Sequence, residues 1–160
     1  MRSVLYLIFL LPVIGFSQTR TQEEKVLEDW LPSSFGEYAL DGSALTVTSK
    51  SDQPYSMSSK VYKKGSSTLT VVIFDYARNP ELLRKYTSAW PAESYESETE
   101  QAEIIRQGSI TTFLTYTRAD KVSQLYAKIK DRYLLYISLN ENAPQFLKRV
   151  EDELKPLQLP

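Results

Sequence analysis

The chain has 160 residues, with 19 Lys and Arg against 20 Asp and Glu, and it contains neither histidine nor cysteine. Without those two residue types, the usual zinc and copper sites cannot be built, nor can a Ser-His-Asp or Cys-His catalytic group. Disulfides are excluded, and the balanced charge offers no basic surface of the kind that nucleic acid requires, so the expectation is no metal, no cofactor and no nucleic-acid partner.

Arg2 begins the chain with a positive charge, and Val4 to Phe16 is a run of thirteen uncharged residues. Gly15 and Ser17 are small residues at the −3 and −1 positions of a cut before Gln18. That layout predicts a secretory signal peptide over residues 1–17. The apolar run is shorter than the roughly 20 residues of a spanning helix, and Pro12 interrupts it. No stable membrane insertion is therefore expected after its removal. Loss of Arg2 turns 19 cations against 20 acids into 18 against 20, or −2. Residues 18–160 are expected to form a single α+β domain, periplasmic or secreted. A chain of this size can bury about 68–70% of the surface its unfolded form exposes, so it needs no covalent staple.

Thr21-Gln22-Glu23-Glu24 has the form of a capping box ahead of Val26, Leu27, Trp30 and Leu31, which are spaced for one helical face. Pro32 ends that helix, and Asp41-Gly42 marks a turn. Strands are predicted over Ala44 to Lys50, Tyr55 to Tyr62 and Thr68 to Tyr76, the last two joined by a turn at Lys63-Lys64-Gly65-Ser66. The third strand is apolar on both faces for much of its length, as in a central strand covered on both sides. Asn79-Pro80-Glu81 then starts a helix, with a capping Asn, Pro at the first position and an acid in the first turn. Its stripe is Leu82, Leu83, Tyr86 and Trp90, its end is Pro91, and Tyr86 and Trp90 should face one neighbour.

From Ala92 to Glu103, five glutamates surround Tyr95, which reads as a solvated loop. After a turn near Gln107-Gly108, strands are predicted over Ile110 to Thr117, Val122 to Ile129 and Tyr133 to Leu139, with a tight connection at Lys130-Asp131. The face of Val122 to Ile129 opposite Leu125, Ala127 and Ile129 should be wet. Asn142-Ala143-Pro144 starts a last helix, with Phe146, Leu147, Val150 and Leu154 on one stripe and an end at Pro156. Short connections demand antiparallel neighbours. The expected fold class is α+β: an antiparallel sheet of six to seven strands flanked by helices on both faces.

The stretch Tyr62-Lys63-Lys64-Gly65, then Leu69 to Ala77, then Asn79-Pro80-Glu81-Leu82 resembles a pattern of uncharacterised exported bacterial proteins. Trp30-Leu31-Pro32 with Phe35-Gly36-Glu37-Tyr38, and Asp131 to Leu135, are similar to its start and end. The leader ending Phe-Ser-Gln resembles those of Bacteroidetes-type bacteria, and the element order is similar to the PsbP/Mog1-like α/β/α sandwich. That fold hosts binding and assembly proteins without shared catalytic residues, so the resemblance implies no site.

Among the carboxylates, Asp75 could pair with Glu37 or Glu81 as an acid/base couple acting on envelope polysaccharide. It could equally accept backbone hydrogen bonds in the strand-to-helix connection, the commoner use of Asp there. Glutamates 93–103 lack the Asp, Asn and Gly of a calcium loop. Ten of the eleven tyrosines follow the leader, and several fall on strands, where rings can form a platform or simply sit half-buried. Tyr136 lies with Leu134 on the face opposite Tyr133, Leu135 and Ile137. The candidate ligand-binding residues are Tyr76, Asp75, Tyr38 and Trp90, and no catalytic or metal residue is assigned. The functional expectation is an exported, non-catalytic binding or assembly domain whose partner is an envelope protein or small ligand. The alternatives are the carboxylate-dependent hydrolase and an inhibitor-type partner bearing an exposed apolar patch.

Overall fold

In a computed structural model, residues 22–49 and 54–159 are described. The leader, Thr21 of the capping box and Lys50 lie outside the described residues. The order is α1 (Gln22–Trp30), β1 (Ser34–Phe35), β2 (Tyr38–Leu40), β3 (Leu45–Ser49), β4 (Tyr55–Lys64), β5 (Ser67–Asp75), α2 (Pro80–Thr87), β6 (Tyr95–Glu96), β7 (Glu100–Gln107), β8 (Ile110–Thr117), β9 (Val122–Ile129), β10 (Tyr133–Leu139) and α3 (Pro144–Leu154), closed by a short 3-10 turn, Pro156–Gln158.

The strands form one open antiparallel sheet in the order β1-β2-β4-β5-β10-β9-β8-β7-β6, with β3 paired to β4. Among the described residues it has ten strands rather than six or seven: β1, β2 and β6 are pieces of two or three residues, and β7 is a full strand of eight. β1 and β2 are two and three residues long and fold over Gly36, whose φ of +55° suits glycine. β2 and β3 share the outer edge of β4: Ala39 and Leu40 pair with Lys63 and Tyr62, while Leu45–Ser49 pair with residues 59 down to 55. Asp41-Gly42 therefore interrupts one edge strand rather than reversing the chain, and Asp41 N–H still donates to Val61 O at 2.8 Å.

The central seam joins β5 to β10, from Leu69 opposite Leu139 to Asp75 opposite Tyr133. Alternation sends Leu69, Val71, Ile73, Leu135, Ile137, Leu125, Ala127 and Ile129 to one face, all fully or almost fully buried with α1 and α3. Each of the Leu, Val and Ile side chains contributes about 1.5–3 kcal/mol by leaving water. α3 delivers Leu147, Val150 and Leu154 at helical spacing, and Phe146 packs at the margin. Leu27 of α1 and Leu31 just after it are buried, but Val26 is 40% exposed and Glu24 is 8% exposed. The inward stripe is therefore Glu24, Leu27 and Leu31, with Trp30 partly buried beside it.

Among the described residues, α2 is the helix on the opposite face. Register sets its side chains in rows across the strands. One row runs Met57, Phe74, Leu134, Lys128, Thr111, Arg106, and the next runs Ser59, Val72, Tyr136, Tyr126, Phe113, Ile104. The third is Val61, Thr70, Ser138, Gln124, Thr115, Ala102. Leu82 and Leu83 of α2 pack with Tyr76 and Leu134, at the end of the sheet where β5 finishes. Helices do flank both faces, but on this one the short α2 lies over the Leu134 end and leaves much of the second row half-buried. In the third row Val61, Thr70, Ser138 and Gln124 are partly exposed, while Thr115 and Ala102 are buried.

Two further expectations give way. Helix α2 stops at Thr87 instead of running to Pro91. The residue before a proline avoids helical geometry, and the Thr87 and Ser88 hydroxyls donate to the carbonyls of Leu83 (3.1 Å) and Lys85 (2.8 Å). The stretch 92–103 is not one loop: Tyr95–Glu96 pair with Gln101–Ala102 as an edge hairpin, and β7 begins at Glu100. Its glutamates mostly project into solvent, so the strong charge signal hid a strand. Strands β8, β9 and β10 and helix α3 match expectation from end to end, with Lys130 and Asp131 both at positive φ in the β9–β10 turn.

Candidate binding face

Asp75 closes β5 and is almost fully buried. Its Oδ1 accepts from Ala77 N–H at 2.8 Å and from Arg132 Nε at 2.9 Å, and its Oδ2 accepts from Arg132 Nη2 at 2.7 Å. A forked guanidinium on a carboxylate gives a strong, directional pair. Tyr76 N–H donates to Arg132 O at 2.9 Å, and the guanidinium lies 4.7 Å from the centre of the Tyr133 ring. Asp75 thus ties the start of the α2 connection to the β9–β10 turn. Glu37 is ion-paired with Lys64, and Glu81 with Arg84. Each of the three acids considered for hydrolysis already faces a cation.

Helix α2 is set by its first residues: Asn79 Oδ1 accepts from Leu82 N–H at 3.2 Å, Pro80 follows, and Glu81 lies in the first turn. Beneath its start, the Tyr76 ring lies 6.0 Å from both Tyr55 and Phe74 and 6.3 Å from Tyr86. Burial, aided by the neighbouring Tyr86 and Tyr55 hydroxyls, holds the Tyr76 hydroxyl far above its ordinary pKa.

Because α2 ends early, Trp90 leaves the stripe of Tyr86 and drops onto Phe113 (5.9 Å) and Tyr126 (6.5 Å). The two rings therefore face different neighbours. Tyr126 in turn stacks at 6.0 Å on Phe113 and lies 5.0 Å from Tyr136. Tyr126 OH donates to Gln124 Oε1 at 3.4 Å, and Gln124 Nε2 donates to Tyr136 OH at 3.0 Å. Both ends of the amide are thereby oriented. Burial pushes the Tyr126 hydroxyl well up, with Tyr136 and Glu100 adding to it, so it remains a neutral donor. This arrangement can stack flat groups and offer neutral hydrogen bonds, and it contains no acid/base couple.

Of the four candidate residues, only Tyr76 and Trp90 share this face. Tyr38 is on the other side, its ring 5.1 Å from Phe146 of α3, and Asp75 is committed to Arg132. Phe113 and Gln124 were not anticipated, although the wet face expected for β9 is where Gln124, Tyr126 and Lys128 stand. Among the described residues, no group of three or more acids could hold a metal ion, and no helix is long and apolar enough to cross a membrane.

No protein-family model matches the chain, and no curated protein is significantly similar to it. Among solved structures, it is similar to a GTP binding regulator from Thermotoga maritima, at 13% identity over 79% of each chain and a TM-score of 0.46. A likeness that distant carries nothing over to this chain.

Proposed function

We propose that this chain is an exported, non-catalytic binding or assembly domain of the cell envelope. After loss of residues 1–17 it is periplasmic or secreted, and it takes a protein or small ligand on the sheet face that α2 leaves open. In this reading it is a PsbP/Mog1-like sandwich, related to the exported Bacteroidetes-type proteins that its Tyr62–Leu82 stretch resembles. The observation that carries the reading is the Tyr126–Gln124–Tyr136 chain of hydrogen bonds on the half of the face without a helix. Aromatic rings beside neutral donors and acceptors suit a binding surface. The hydrolase reading draws no support from Asp75, Glu37 or Glu81, each ion-paired.

Two measurements test it. Residues 1–25 fused to a reporter that works only outside the cytoplasm should activate it, and failure to do so would remove the export part. Residues 18–160 should capture one envelope component in saturable fashion. A Tyr136→Ala, Gln124→Ala variant of unchanged melting temperature should lose it at least tenfold; undiminished capture would remove this face.

A further inference from the structure

Under the end of α2, a cleft of about 180 Å³ opens between the Thr87–Ala92 segment and strands β7 to β9. Its floor belongs to the first row described above: Arg106, Thr111 and Lys128 stand directly opposite one another on three adjacent strands. Neighbouring strands are about 4.8 Å apart, so register sets the two cationic residues one on each side of Thr111, about 9.6 Å apart at the backbone, with long side chains that reach into one cleft. Trp90 and Ile104 supply the apolar part of the lining.

Like charges gathered on one face of a sheet cost stability unless something answers them. Arg106 Nη2 donates to Ala92 O at 2.9 Å, which anchors the guanidinium at the cleft and leaves its charge unneutralised by that bond. Lys128 is ion-paired at 2.7 Å with Asp131, whose side chain is 78% exposed in the turn outside the lining. The lining residues themselves include two cations and no carboxylate.

We infer that this cleft is a binding site for a small organic oxyanion, a carboxylate or phosphate carried on a flat apolar body. The anionic head takes donors from Arg106, the Thr111 hydroxyl and Lys128, whose three ammonium hydrogens let it serve the ligand as well as the exposed Asp131, and the body lies against Trp90. The site goes beyond the surface proposed above, because neither Tyr136 nor Gln124 lines it. Loss of envelope capture with cleft binding intact, or the reverse, separates the two.

The chain has two tryptophans, so a Trp30→Phe background leaves Trp90 as the sole indole reporter. Titration of residues 18–160 in that background with benzoate and with phenyl phosphate should change Trp90 fluorescence saturably. Benzyl alcohol, the same ring without the charge, should bind at least tenfold more weakly. Arg106→Gln and Lys128→Gln should each raise the dissociation constant about tenfold, as expected for loss of a charge-assisted hydrogen bond. Both residues are at least partly exposed, so melting temperatures should hold. Absence of saturable change with either anion would overturn the inference, as would equal binding of benzyl alcohol or unaltered binding in both variants. Inorganic phosphate binding as tightly as phenyl phosphate would overturn the role of Trp90.

Discussion

Glu151 is a charged residue on the buried stripe of α3, only 1% exposed. Thr112 of β8 donates its hydroxyl hydrogen to Oε1 at 2.7 Å. Lys148 Nζ lies 2.7 Å from Oε2, an ion pair rather than an aligned hydrogen bond, and also meets Asp152 at 2.7 Å. Partial burial works against the Lys148 charge, but the Asp152 and Glu151 carboxylates outweigh it and raise its pKa. Breaking a buried pair from one side costs about 3–5 kcal/mol, whereas replacing both partners by apolar groups is often neutral. Because the Lys148 side chain is 18% exposed, Lys148→Met should lose about 3 kcal/mol, toward the lower end. Adding Glu151→Leu should restore most of it in urea denaturation. Thr112→Val should cost about 1–3 kcal/mol by leaving Oε1 without its hydroxyl donor. A Lys148→Met protein as stable as the parent would mean that the pair contributes nothing.

Among the three described α-helices, α2 is the least secured. Its eight residues bury Leu82 and Leu83 against a small cluster, while α1 and α3 join the large one. Local opening follows from few buried contacts, so the α2 amides should exchange with deuterium well before those of β5 and β10. Leu83→Ala should cost about 2–5 kcal/mol and speed exchange in α2 above all. Protection in α2 equal to that in β10 would show it to be part of the global unit. The same elements show what a sequence discloses. Strand β9 could be read from its alternation, and β8 and β10 from runs of seven or eight residues rich in apolar and β-branched side chains, bounded by turns. β1 and β6, two residues each, carry no period at all. The end of α2 depended on hydroxyl-to-carbonyl bonds, not on the apolar stripe that seemed to reach Trp90. Asp75 could be read as a connection residue, but its partner Arg132 is 57 positions away. The cleft was equally hidden, since only strand register sets Arg106 in line with Lys128.

Over the whole molecule, alkaline pH is the condition that works against folding. Burial pushes the hydroxyls of Tyr62, Tyr76 and Tyr126 above their ordinary value of 10.0, and Lys148 is raised above 10.5. A raised pKa means that the folded chain holds the proton more tightly. The associated stability is complete below the unfolded value and is lost as pH climbs toward the folded one. The melting temperature should therefore fall steeply above about pH 10. Tyrosinate absorbance of these three should appear together with unfolding, and stepwise ionisation in a folded chain would contradict this.

The seam between β5 and β10 has a consequence in time. Hairpins such as β4–β5 and β8–β9 close from neighbouring residues, but Leu69 meets Leu139 across nearly half the chain. Contacts so distant in sequence form late and slow the search. A ribosome that has delivered β5 has made a strand whose centre holds five apolar residues interrupted by one threonine, and its partner is still unmade. Until β10 arrives, that strand has one hairpin neighbour and one bare edge, the condition in which chains join each other instead of themselves. The last quarter of the sequence thus decides when the rest becomes safe.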